Sequence, residues 1–95
     1  MVDFMPNRSQ LAFLNRARSY QPLRGVVCFW ANDGPREISF YVSAGALKHL
    51  DSNLQSDEAG FLQAFDANRS QIEGAASKVY RAGSQSSYEL DLPNF

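Results

Sequence analysis

Two hydrophobic periods divide the chain. Residues 26–31 (Val-Val-Cys-Phe-Trp-Ala) and 37–42 (Glu-Ile-Ser-Phe-Tyr-Val) are rich in β-branched and aromatic side chains. Asn32-Asp33-Gly34-Pro35 between them is turn chemistry, so the pattern predicts a β-hairpin. Strand alternation puts Val27, Phe29 and Ala31 on one face with Ile38, Phe40 and Val42, and leaves Cys28, Trp30, Ser39 and Tyr41 on the other. Farther on the period changes to that of a helix. Phe61, Leu62, Phe65, Ile72, Ala76 and Val79 return on one stripe, which predicts a single helix from just after Ser56 to about Ala82. Asp57 and Glu58 suit the positive end of its dipole, Lys78 and Arg81 suit the negative end, and Gly83 is the expected stop. At 1.5 Å per residue such a helix would be about 40 Å long. Gly60 and Gly74 each cost it roughly 1 kcal/mol relative to alanine, and Gly74 beside Ala75 and Ala76 predicts close approach to a neighbour.

Shorter elements frame these. Ser43 is placed to cap a short helix over residues 44–50, which Asp51-Ser52-Asn53 ends. Tyr88, Leu90 and Leu92 alternate with Glu89 and Asp91, describing a final strand stopped by Pro93, after a link at residues 84–87. Residues 11–14 form a short apolar run read as a first strand. A basic connection follows over residues 15–24, punctuated by Pro22 and Gly25. Residues 1–10 follow neither period and read as a loose leader to one domain spanning residues 11–95. The predicted fold is α+β in two layers: an antiparallel sheet built from a strand, a hairpin and a last strand, with two helices on one face.

Composition narrows the class. At 95 residues with 44% hydrophobic content, the chain can bury a core without metal or disulfide staples. Cys28 stands alone, which excludes an intrachain disulfide and favours a reducing compartment. The first residues carry no apolar signal-peptide core, and no stretch approaches the roughly 20 apolar residues of a membrane span. A soluble, cytoplasmic protein is expected. Net charge is -1, with bases in excess in the first half and acids in the second.

Val27, Phe29 and Trp30, then Asp33-Gly34, Ile38-Ser39-Phe40-Tyr41-Val42-Ser43 and Ala46-Leu47, then Phe65, Asn68-Arg69, Ile72, Ala76 and Tyr80, form a recognisable succession. In these residues the chain resembles a family of small bacterial proteins catalogued only as domain of unknown function 1488. The likeness runs over about residues 11–95. It implies a two-layer α+β fold of bacterial origin, with no activity to carry over. The chain departs from it in residues 1–10 and at Asn94-Phe95, where the family tends to carry an acid before the phenylalanine.

Candidate chemistry is sparse. Arg69 lies on the apolar stripe and is the one candidate anion-binding residue, although Asp66 and Glu73 are spaced to pair with it along the helix. His49 is the only histidine, so no two-histidine metal site exists, and Cys28 has no partner motif for a nucleophile. No serine sits in a nucleophile elbow and no glycine run forms a phosphate loop. No cofactor is called for, and an enzyme acting on a small anion stands only as an alternative. Trp30, Tyr41 and Cys28, on the face that two helices cannot cover, are the candidate interface, with a homodimer as the first choice of partner. Nucleic acid is the rival partner, through stacking on these aromatics with Arg16, Arg18 and Arg24 on phosphates. The net charge and the lack of an aromatic RNA-binding signature disfavour it. The expected function is that of a non-catalytic protein-interaction module.

Overall fold

The computed structural model describes residues 11–82 and 84–95. The expectations of a leader over residues 1–10 and of a stop at Gly83 lie outside them. Four strands, β1 (Arg18–Gln21), β2 (Val26–Asp33), β3 (Arg36–Ser43) and β4 (Ser87–Leu90), form one open sheet in the order β1-β2-β3-β4. Helices α1 (Ala44–Leu50), α2 (Glu58–Ala67) and α3 (Arg69–Val79) lie between β3 and β4 in the chain, and a 3₁₀ turn over Leu92–Asn94 follows β4.

The α+β class and the hairpin are as expected. Strands β2 and β3 pair with Phe29 opposite Phe40 and Asp33 opposite Arg36, so the turn is tighter than its four-residue signal. Gly34 stands there at φ 60°, the positive value that the first position of a two-residue hairpin turn requires. Val27, Phe29, Ala31, Ile38, Phe40 and Val42 are all fully buried on the inner face. They share one cluster with Leu47 of α1, Phe61 and Phe65 of α2, and Ile72 and Ala76 of α3. Ser43 Oγ accepts from the Ala46 amide at 3.1 Å and starts α1 as predicted.

The sheet is mixed rather than wholly antiparallel. Strand β4 pairs in parallel with β3, Phe40 opposite Tyr88 and Val42 opposite Leu90. Its connection through three helices brings the chain back to the end of the sheet where β3 began, and a return of that kind lays the next strand parallel.

The long helix is broken in two at Asn68. This residue leaves helical geometry (φ -115°, ψ 21°), and its amide is shared between the carbonyls of Ala64 and Phe65, both at 3.1 Å. Its side-chain Nδ2 also donates to Ala64 O at 2.9 Å, the local competition with the helix ladder typical of asparagine. The apolar stripe continues through the break, which is why periodicity alone reads as one helix. Asp57 caps α2, accepting from the Gly60 amide at 2.8 Å. Gly74 does not approach a neighbour: a Cβ there would meet nothing within 4 Å.

The first strand is also displaced. Ala12, in the run predicted as a strand, makes an isolated bridge with Asn32, and the edge strand is Arg18–Gln21 inside the supposed connection. Its inward residues are amphipathic. Tyr20 stacks on Phe61 at 5.3 Å between ring centres, and Arg18 reaches across to Asp66 of α2 with two bonds of 2.8 and 2.7 Å. At the other end the alternation stops at Leu90, and Leu92 is 48% exposed in the 3₁₀ turn. No helix among the described residues is long and apolar enough to cross a membrane.

Candidate functional site

Among the described residues there is no enclosed pocket and no group of histidine, cysteine, aspartate and glutamate that could hold a metal ion. The outer face of the sheet carries the predicted interface residues, none of which takes part in the core cluster. Register sets out its rows. Ser19, Cys28, Tyr41 and Glu89 lie across the four strands in one row, and Trp30, Ser39 and Ser87 in the next. Tyr41 thus stands between Cys28 and Glu89, Trp30 stands beside Ser39, and both aromatics are half-buried.

One basic residue folds over this face. Arg24, in the turn between β1 and β2, places its guanidinium carbon 4.2 Å from the centre of the Tyr41 ring. Its Nη2 pairs with Glu89 Oε2 at 3.3 Å. The turn positions it: Gln21 O accepts from the Gly25 amide at 2.8 Å, and Gly25 takes φ 65°, so the chain reverses within four residues and returns Arg24 toward β3. The arrangement joins a cation–π contact to an ion pair on a partly exposed surface.

The three predicted interface residues occupy this face differently. Trp30 and Tyr41 present surface, whereas Cys28 is only 2% exposed. Burial pushes the Cys28 thiol up, and a hydrogen bond with Tyr41 and the nearby charge of Arg24 offset that rise only in part. The thiol is therefore protonated at neutral pH, which removes the thiolate that nucleophilic or redox chemistry needs. Cys28 lies beside Tyr41 in the register of β2 and β3 and offers almost no surface of its own.

Arg69 is placed apart from this face, 7% exposed at the start of α3. Its Nε donates to Glu73 Oε2 at 3.0 Å, its Nη2 reaches Asn15 O at 3.4 Å, and its guanidinium carbon sits 5.0 Å from the Phe65 ring centre. Of the two acids spaced to pair with it, Glu73 does so and also lies 3.7 Å from Arg16, while Asp66 is taken by Arg18. His49 is exposed in the last turn of α1, where a helix C-terminus suits it.

Three relationships had no local signal: Arg24 over Tyr41, Arg24 with Glu89, and Tyr80 with Asp33. Each joins residues from separate elements. Only the parallel placement of β4 brings Glu89 beside Tyr41, and alternation within one strand cannot reveal it.

The family described as "Protein of unknown function (DUF1488)" matches residues 11–92. No curated protein matches the chain. Among solved structures, the crystal structure of a protein of unknown function from the DUF1488 family of Shewanella loihica PV-4 is similar, with a TM-score of 0.69 and 18% identity. The similarity covers 86% of this chain and 94% of that one, and at this identity it speaks for the fold.

Proposed function

The chain belongs to the DUF1488 family of proteins of unknown function, and because that membership brings no activity with it, we propose that it acts as a non-catalytic interaction module whose outer sheet face meets a second copy of itself. The observation that carries this reading is the pair Trp30 and Tyr41, half-buried on a face to which none of the helices contributes. Aromatics of this kind anchor protein contacts, combining large apolar area with little conformational entropy to lose. The charges around them, Arg24 against Glu37 and Glu89, are of mixed sign, which suits a like surface better than a polyanion. A cytoplasmic location goes with this reading, since the lone cysteine suits a reducing compartment.

The rival readings draw less support. Arg16, Arg18 and Arg24, the residues a nucleic acid would need, each face an acid: Glu73, Asp66 and Glu89. Arg69, the residue an enzyme of small anions would use, has Glu73 as its counter-charge. Light scattering over a range of concentrations tests the proposal. The wild-type chain should gain mass with concentration, and Trp30→Glu should remain folded and gain markedly less. A wild-type chain that stays monomeric at high concentration overturns it.

A further inference from the structure

We propose that the β4 edge is a second self-association site, at which two copies join β4 to β4 antiparallel and run their sheets together. The pairing is made by backbone at the margin of the sheet and does not rest on the reading above, while the Ser87 and Glu89 side chains also border the outer face. Among the described residues strand β4 pairs with β3 alone. The Ser39 amide donates to Ser86 O at 2.9 Å, which fixes the phase of the ladder. The backbone groups of Ser86, Tyr88 and Leu90 are turned to β3, and those of Ser87 and Glu89 point away from the sheet. Among the described residues only the Ser87 carbonyl has a partner on that side, the side-chain amide of Gln85 at 3.2 Å. Ser84 to Ser87 and Glu89 are exposed, so no helix shields this edge. The strand contains no proline, no lysine and no inward charge, the devices that ordinarily blunt an edge. Its four-residue length and the exposed charge of Glu89 limit it, which points to a weak, concentration-dependent contact.

The strand is self-complementary in one register. With the two-fold axis at Tyr88, Ser87 of one copy faces Glu89 of the other, and both have outward backbone groups, so each such pair exchanges two hydrogen bonds. Tyr88 then faces its own copy as the non-bonded pair, and each glutamate faces a serine. Moving the axis to Glu89 would set the two glutamates opposite each other, a like-charge pair that is destabilising. Charge thus disfavours the Glu89-centred register, and the Tyr88-centred one pairs all of the strand's outward backbone groups within β4. This axis stands perpendicular to the sheet, whereas one relating two apposed outer faces lies within it, and two such axes that meet close a tetramer.

The register gives a charge test at Ser87, an exposed position on the strand. Ser87→Lys should tighten association by on the order of tenfold at low salt, because it meets Glu89 of the second copy twice across the axis. Ser87→Glu should weaken it by a similar factor. In the wild-type chain, hydrogen exchange at the Glu89 amide should slow as concentration rises, and Trp30→Glu should leave that protection in place. Exchange at Glu89 that ignores concentration, or Ser87→Lys and Ser87→Glu acting in the same direction, overturns the β4 edge. The outer-face reading fails separately, when Trp30→Glu leaves the mass unchanged.

Discussion

The hydroxyl of Tyr80, just beyond α3, donates to Asp33 Oδ2 at the end of β2. Tyr80 is itself buried to 1% exposure, and its ring packs edge-on against Tyr88 of β4 at 5.7 Å. Tyr88 in turn bonds the backbone of Arg81, accepting from its amide at 3.2 Å and donating to its carbonyl at 3.1 Å. The end of α3 is thereby fastened to the hairpin on one side and to the last strand on the other.

Tyr80→Phe keeps the ring and removes the bond to a carboxylate, so it should cost about 1.5 to 3 kcal/mol in urea unfolding at pH 7. The bond to Asp33, with burial, also raises the Tyr80 pKa above its ordinary 10.0. The folded state then holds this proton where the unfolded state has lost it. Stability should be level through neutral pH and fall as pH rises above about 10. Tyr80→Phe should flatten that alkaline fall, and an unchanged alkaline limb would exclude the bond.

Asp66 behaves oppositely. Its hydrogen bonds and ion pair with Arg18 hold the carboxyl below the ordinary 3.8. The stability it supplies is full above that value and is lost as pH falls from there through the lowered folded pKa, because over that range the unfolded state takes up the proton and the folded state does not. Unfolding curves at pH 7, 4 and 3 should show a shallower acid decline for Asp66→Asn than for the wild-type chain.

Two glycines in the helices should respond with opposite signs. A Cβ on Gly60 would collide with the carbonyl of Gln55, so Gly60→Ala should destabilise by about 1 to 3 kcal/mol through forced displacement of backbone. Gly74 faces open space within α3, and Gly74→Ala should stabilise by up to about 1 kcal/mol. Thermal melts of the two variants on either side of the wild-type midpoint are the expected result.

Phe65 is fully buried with its ring 5.1 Å from that of Phe29, and Gln71 is exposed on α3. Phe65→Ala should cost about 3 to 5 kcal/mol and Gln71→Ala almost nothing. Comparable shifts in urea midpoint would mean that the helical stripe does not face the sheet.

What the sequence reveals of this fold is what periodicity encodes. Val27, Phe29, Ile38 and Phe40 alternate cleanly because one face of their strands is apolar, and all four are fully buried. Arg18 and Tyr20 fill inward positions of β1 with polar-tipped side chains, so that strand has no apolar period to detect. Asn68 breaks the helix through its own side chain while the stripe on either side keeps its phase. The direction of β4 is set by the long crossover, and neither local propensity nor alternation carries that information. The outer face was legible as a set of residues, Cys28, Trp30 and Tyr41. The placement of Arg24 over Tyr41 was not, since it depends on a turn returning a distant side chain to the sheet.

The parallel seam between β3 and β4 also sets an order of assembly. Phe40 finds Phe29 across a tight turn, at 5.4 Å between ring centres, as soon as the hairpin zips. Its other neighbour, Tyr88 at 5.6 Å, lies beyond all three helices in the chain, and closing that span costs entropy that only the finished seam returns. Until β4 docks, β3 is itself an unpaired edge with Phe40 beside it, so the period between hairpin and seam is when the folding chain is most open to mispairing and aggregation.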